Sequence, residues 1–340
     1  MGSKKLKAIA IDRGVNPVPV KDKDTVLRVR KELLDRVLAH PMNAGTYREG
    51  TVGGVVMSSK GGVLPVKNYT TGIYAIEPEK LAAYSAQNLR TVFQAKPSPC
   101  WACGAKHCHV FIAPEGKYAG RILEEPEYEG MSAFSSAVGV DDAVATVILA
   151  NEADRLGMDV NECGWVCAFL MECYEKRLVT KNDLDGLEMT WGNSEAIMEI
   201  LQKIATRQGF GDILAEGVMR AAQKIGGEAV KFAVGTQKYN TPRGHDHRVL
   251  RFEQFDTSVS NLGTLEAHSQ APFKLLGMPE TYDGFDPDVL PFTVAKVKGA
   301  MVFEDSLVTC RFQTGNQLDL LCQAVNAVTG WEMDIPQALT

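Results

Sequence analysis

The sequence predicts a mainly α-helical chain of two helical domains, with a short β segment at the N-terminus. Three observations carry this. Apolar residues recur every three or four positions over long stretches of the chain. Strand-like alternation is confined to KLKAIAI, residues 5–11, before the Gly and Pro of DRGVNPVPV break it. No internal repeat, low-complexity tract or charge block interrupts the pattern.

In order along the chain, Asp24 is placed to cap a first helix whose Val26, Val29, Leu33 and Val37 share one face, and Pro41 ends it. The glycine-rich stretch REGTVGGVVMSSKGGVLPVKNYTTG reads as too irregular for a helix. DDAVATVILANEADRL, residues 141–156, opens with acids that suit the positive end of a helix dipole and closes at Gly157. CGWVCAFLMECYEK reads as a buried apolar helix. Ile197, Ile200, Leu201 and Ile204 line one face of the next helix. Leu214, Val218, Ala221 and Ile225 line another that ends at Gly226, and Leu318, Leu321, Val325 and Val328 the last. The irregular residues 227–245 place a domain boundary near 233.

The chain has 340 residues, 45% hydrophobic and 23% charged, enough to bury a substantial core. A formal charge of −6 and the lack of a basic stripe exclude a phosphate-backbone partner such as nucleic acid. No apolar run reaches the roughly 18 residues that span a bilayer, and MGSKKLKAIAIDRG lacks a signal peptide's apolar stretch, so no membrane partner and a cytoplasmic location are expected. In that compartment eight cysteines read as metal ligands or buried thiols rather than disulfides.

PSPCWACGAKHCHV, residues 97–110, holds Cys100, Cys103 and Cys108 as C-x2-C-x4-C, a spacing that one turn can gather to one point. Three soft ligands admit two completions: a zinc finished locally by His107 or His109, or a [4Fe-4S] cluster with a distant fourth cysteine. Cys163, Cys167, Cys173 and Cys322 lie on apolar helix faces and read as core. Cys310, in EDSLVTCRF, follows an acidic, hydroxyl-bearing segment and is the best fourth ligand.

The ordered segments GGVLPVKNY, PEYEGMSAFSSAVGVDD, ANEADRLGMD, TWGNSEAIMEILQKIA, GDILAEGVMRAAQKIG, EDSLVTC and AVTGWEM, with the cysteine cluster among them, resemble the tungsten-containing aldehyde ferredoxin oxidoreductase family over nearly the whole chain. The resemblance implies that the helical part corresponds to that family's domains 2 and 3. Residues 1–22 would be the tail of its first domain, 23–233 domain 2 with the cluster motif and first pterin motif, and 234–340 part of domain 3. It further implies a [4Fe-4S] cluster on Cys100, Cys103, Cys108 and Cys310, although the family spacing is C-x2-C-x3-C and this chain has one residue more.

A tungsten (or molybdenum) bis-pyranopterin is implied too, held in the family by two D-x-x-G-L-(C/D) motifs. Here these are DRLGMD, with Asp154, Gly157 and Asp159, and DSLVTC, with Asp305, where Val308 and Thr309 replace Gly and Leu. An ionised carboxylate can accept both hydrogen bonds from a pterin's two-donor edge. Glu129 of PEYE would be a general base near the metal, with Glu127 as the control, and His268 would hydrogen-bond the substrate carbonyl or a metal oxo group. TPRGHDHR stands where the family has D-P-R-G, so Thr241 replaces an acid while Arg243 keeps its cofactor contact. His245, Asp246 and His247 are either an added polar set or a solvated loop.

The implied reaction is oxidation of an aldehyde with water to a carboxylic acid, the electrons passing to ferredoxin or another electron-transfer subunit. A second reading is the catalytic subunit of a class II benzoyl-CoA reductase, acting on an acyl-CoA; a third is a non-catalytic iron-sulfur electron-transfer fragment or a zinc-stabilised module. The family's β-rich first domain should precede residue 1, so the chain is expected to be a piece of a longer enzyme or to depend on a separate chain for the missing cradle.

Overall fold

The computed structural model describes residues 5–339 apart from 7, 13, 115, 237, 238, 240, 261–272, 280–282 and 316, and describes 41–43 without their side chains. The chain is mainly α, as expected. The described residues of 5–11 pair with no strand; Leu6, Ile9 and Ile11 are exposed, and a strand without a neighbour has nothing to bond its backbone.

Asp22, not Asp24, caps the first helix, α1 (Lys23–Ala39), accepting the Thr25 N–H at 3.0 Å. Its Val29 and Val37 are buried as the spacing predicts. Pro41 ends α1 and opens α2 (Pro41–Glu49), since a first-turn proline gives up no hydrogen bond. The glycine-rich stretch is not wholly irregular. It contains α3 (Gly54–Lys60), whose Gly54 packs so closely on the Tyr128 ring that a Cβ would collide with it.

After α4 (Pro78–Ala83) and α5 (Ala86–Val92) comes a small antiparallel sheet of β1 (Lys96–Pro97), β2 (His109–Ile112) and β3 (Ile122–Glu124). Its register pairs Pro97 with His109 and Val110 with Glu124. The three-cysteine segment is therefore the loop between two paired strands, closed at its base by the Ser98 N–H on the Cys108 carbonyl at 3.0 Å.

The central core gathers α6 (Tyr128–Phe134), α7 (Ala143–Arg155), α8 (Val160–Glu175), α9 (Ser194–Thr206), α10 (Gly211–Leu214) and α11 (Val218–Ile225). α8 is buried around its whole circumference, with Trp165, Phe169 and Met171 fully enclosed, and Gly164 lets it touch Ala133 of α6. Cys163, Cys167 and Cys173 are core, as read, and burial pushes the Cys163 and Cys173 thiols up to about 12. The single helix expected along Leu214, Val218, Ala221 and Ile225 is broken in two, because Gly217 turns the chain at φ +83°.

The rest is α12 (Arg251–Val259), α13 (Val289–Ser306), α14 (Arg311–Thr314), α15 (Leu318–Thr329) and α16 (Ile335–Ala338). α1 lies along α15: the Lys21 and Asp22 N–H groups bond the Val328 and Ala327 carbonyls at 3.2 and 2.8 Å, and Arg36 pairs with Asp319 at 2.7 Å. Cys322 is buried in α15, as expected. Among the described residues no single helix is long and apolar enough to cross a membrane.

Candidate functional site

The strand pair that closes residues 98–108 presents Cys100, Cys103 and Cys108 from one loop, with the Cys103 N–H on the Cys100 carbonyl at 3.1 Å. α13 and α14 bring Cys310 to the same place. The Gly104 N–H donates to Gln313 Oε1 at 2.8 Å, tying the loop to the turn that carries Cys310. Partial desolvation raises the Cys310 thiol, and Cys103 and Cys100 raise it further; burial and Cys100 push Cys108 up to about 12. Thiols that raise one another's pKa release their protons when a metal binds, so the group suits a cation.

A single zinc would need closely set donors. Zn–S bonds of about 2.3 Å hold tetrahedral sulfurs about 3.8 Å apart. Among the described residues the set whose donor atoms all lie within 4.8 Å of one another is His107, Cys108 and Glu127, and no set of three cysteines is that tight. His109, the other local zinc candidate, is turned to Glu125 at 2.9 Å, with Arg90 on the same carboxylate at 2.7 Å.

Next to Cys310 opens a cleft of about 520 Å³ lined by Glu127, Glu129, Arg243, His245, Arg311 and Thr51, among others. Glu129 stands in the first turn of α6 and accepts a hydrogen bond from Arg243 Nη2, a charge-assisted pair between residues 114 apart in sequence. Glu127 is not an idle neighbour. Burial alone would raise its pKa, but hydrogen bonds from His107 and Thr51 outweigh that and hold it below the ordinary value. His268 lies outside the described residues.

TPRGHDHR is not a solvated loop. Thr241 and Asp246 are buried, Arg248 grips Asp246 at 2.5 and 2.9 Å, and Tyr128 donates to the Gly244 carbonyl at 2.5 Å. A Cβ at Gly244 would collide with Ser132 Oγ. The departure at 241 has a local reason: the Thr241 N–H and hydroxyl both donate to Glu162 Oε2 at 3.0 Å, where an acid would face a carboxylate instead.

The segments DRLGMD and DSLVTC have one backbone shape. In each a helix ends, a residue turns left-handed, Gly157 at φ +73° or Val308 at +58°, and the next helix begins. Asp154 and Asp305 sit exposed at those helix ends, and among the described residues neither side chain makes a hydrogen bond. Partial desolvation and the neighbouring Asp159 raise the pKa of Asp154. Asp159 itself is engaged: its carboxylate caps α8, accepting the Glu162 N–H at 2.7 Å.

The sequence profile described as "Aldehyde ferredoxin oxidoreductase, domains 2 & 3" matches residues 28–340. The chain belongs to the aldehyde ferredoxin oxidoreductase family. It is 32% identical over 98% of its length to the tungsten-containing aldehyde ferredoxin oxidoreductase of Pyrococcus furiosus and 31% identical to that of Pyrococcus horikoshii. It is also 32% identical over 69% of its length to the aliphatic sulfonate oxidoreductase WOR-like subunit of Pyrococcus furiosus. The chain spans about half the length of the two aldehyde ferredoxin oxidoreductases, 54% of each. A solved structure, the active site complex BamBC of benzoyl coenzyme A reductase with 1,5-dienoyl-CoA, shares the fold at a TM-score of 0.75 and 17% identity, over 96% of this chain and 56% of that one.

Sequence reasoning within this family missed Thr51, His107, Glu162 and Glu253. Thr51 sat in a stretch read as irregular, and His107 was weighed only as a zinc ligand. Glu162 and Glu253 touch the site through partners 79 and 8 positions away, Thr241 and His245. Only the H-D-H spacing signalled any of them.

Proposed function

We propose that Cys100, Cys103, Cys108 and Cys310 of this aldehyde ferredoxin oxidoreductase relative hold a [4Fe-4S] cluster, and that the cleft beside Cys310 is one face of a tungsten or molybdenum pterin site. The observation that carries the reading is the approach of Cys310 to Cys103 and Cys100 across some 200 residues of chain. His109, one of the two local zinc candidates, is engaged by Glu125 at 2.9 Å, which favours a cluster closed by Cys310 over a zinc closed by His109. For the pterin, the fit rests on two solvent-facing aspartates without hydrogen-bond partners among the described residues and on the open space around Gly157, which has nothing within 4 Å of where a Cβ would be.

When bound, the metal–pterin group would take two electrons from an aldehyde as it becomes a carboxylic acid, and the cluster would pass them to ferredoxin. The protein's own part is to place charge and move protons. Asp154 and Asp305 would accept hydrogen bonds from the pterin edges. Arg243 fixes the Glu129 carboxylate at the cleft wall, leaving it one oxygen with which to accept a proton from an attacking water. Tyr128 and Gly244 hold the Arg243 segment against α6, which keeps that pair in place.

Anaerobic isolation of the chain followed by elemental analysis tests the cluster, with about four irons expected and a visible absorption band that bleaches on reduction. One zinc and no iron would refute it. Aldehyde-dependent reduction of ferredoxin, assayed with tungsten supplied during growth, tests the reaction.

A further inference from the structure

His245 lines the cleft with Glu129 and Arg243. Its Nδ1 lies 2.8 and 3.1 Å from the two oxygens of Glu253, Tyr128 stacks on its face with ring centroids 5.2 Å apart, and its carbonyl accepts the Tyr69 hydroxyl at 2.7 Å. Glu253, on α12, is 1% exposed, so its charge must be met by neighbours. Besides His245 it has His247, whose Nε2 is 3.8 Å from Oε1 and which lines a separate cavity of about 330 Å³. Burial would push the Glu253 carboxyl up; the two imidazoles outweigh that and hold it well below the usual carboxylate range.

The groups facing His245 are Glu253 from α12, Tyr128 and Glu129 from α6, Tyr69, and Arg243, Asp246, His247 and Arg248 of its own segment. Arg243 pairs with Glu129 and Arg248 with Asp246, so Glu253 is the charge left for the two histidines to share. An ionised carboxylate only accepts hydrogen bonds, which keeps a proton on Nδ1 of His245 whether the ring is neutral or charged. Proton exchange then falls to Nε2, on the other side of the ring.

We propose that His245 is an acid–base residue of the cleft, oriented by Glu253 as its positioning residue. The proposal rests on reading the cleft as the reaction site. As acid, the His245 imidazolium gives its Nε2 proton to an oxygen gaining negative charge in the cleft and is left neutral, its Nδ1–H still donated to Glu253. As base it takes a proton from water by the reverse transfer. Glu253 stays ionised throughout, and no electron moves.

The test begins on the chain without cofactor, by NMR titration of the six histidine rings with His245→Gln for assignment. The expected result is a neutral His245 protonated on Nδ1, with a midpoint about one pH unit above the unperturbed value of about 6.5. Glu253→Gln should lower that midpoint by about one unit, and Glu253→Asp should restore part of it. In loaded enzyme, His245→Gln should lower kcat by about 10²- to 10⁴-fold with KM little changed and remove one limb of the pH profile. A neutral ring protonated on Nε2, or a midpoint indifferent to Glu253→Gln, overturns the pairing. Unchanged kcat in His245→Gln overturns the acid–base role. Should Glu253→Gln not fold, the tautomer in the unmodified chain decides. A chain that binds no iron would sink the proposed function while leaving the titration as it is, so the two failures are distinguishable.

Discussion

The turns 154–159 and 305–310 are the same local structure with different side chains. After α7, the Gly157 N–H bonds the Asp154 carbonyl at 2.8 Å; after α13, the Val308 N–H bonds the Asp305 carbonyl at 3.0 Å. The first turn then closes with the Met158 N–H on the Ala153 carbonyl at 3.1 Å, and the second with the Thr309 hydroxyl on the Glu304 carbonyl, also at 3.1 Å. The sixth position separates them. Asp159 spends its carboxylate capping α8, whereas Cys310 opens α14 with no side-chain cap and leaves its sulfur toward Cys100 and Cys103. One backbone turn thus ends in a carboxylate that caps a helix in one place and, in the other, in the thiol we propose as a cluster ligand.

The largest effects should come from exchanging those roles. Cys310→Ser is expected to lose most of the roughly four irons while leaving the unfolding midpoint of the metal-free chain nearly unchanged. Asp159→Ala should keep the iron and cost about 1 kcal/mol of stability through the lost cap. Iron analysis and urea unfolding of both variants would break the comparison if either lost both properties. The fourth positions come next. Nothing lies within 4 Å of Gly157's absent Cβ, so Gly157→Val isolates the backbone penalty, about 1–2 kcal/mol. Val308, 93% exposed, buries nothing in return for its left-handed strain, so Val308→Gly should stabilise by about 0.5–1 kcal/mol after the entropy of glycine is counted.

Thr309→Val, which removes the closing hydroxyl, should cost about 0.5–1.5 kcal/mol by the same measurement. Smallest is Asp154→Asn. The folded carboxyl has a raised pKa, so the folded chain holds its proton more tightly than the unfolded one, and the ionised form is a liability at neutral pH. The variant should therefore melt slightly higher than the parent near pH 7. That advantage should fade as pH falls through the raised value and vanish below the ordinary 3.8. Melting curves at two pH values check the sign.

The helices were legible wherever one face is apolar: every residue read onto the face of α9, Ile197, Ile200, Leu201 and Ile204, is buried. α13 escaped notice because its apolar residues are spread around its axis, and the sheet because strands of two to four residues are too short to show alternation. The cysteine loop and both helix-ending turns were legible as motifs, since their chemistry is local. Pairings across the fold were not. Nothing in PEYE announces Arg243, and nothing in H-D-H announces that Glu253, one helix further on, receives both rings. Such partners are chosen by how helices pack, which no short window of sequence contains.

The meeting of Cys310 with the loop at 100–108 also sets a timetable. A ribosome adding about 5–20 residues per second makes the first three thiols some 10–40 seconds before the fourth. Throughout that interval the nascent loop offers an open, three-cornered cup to whatever iron carrier or oxidant the cell holds. For the proposed cluster, assembly is then as much a matter of guarding an unfinished vessel as of folding, and the exposure lasts from the synthesis of residue 108 to that of residue 310.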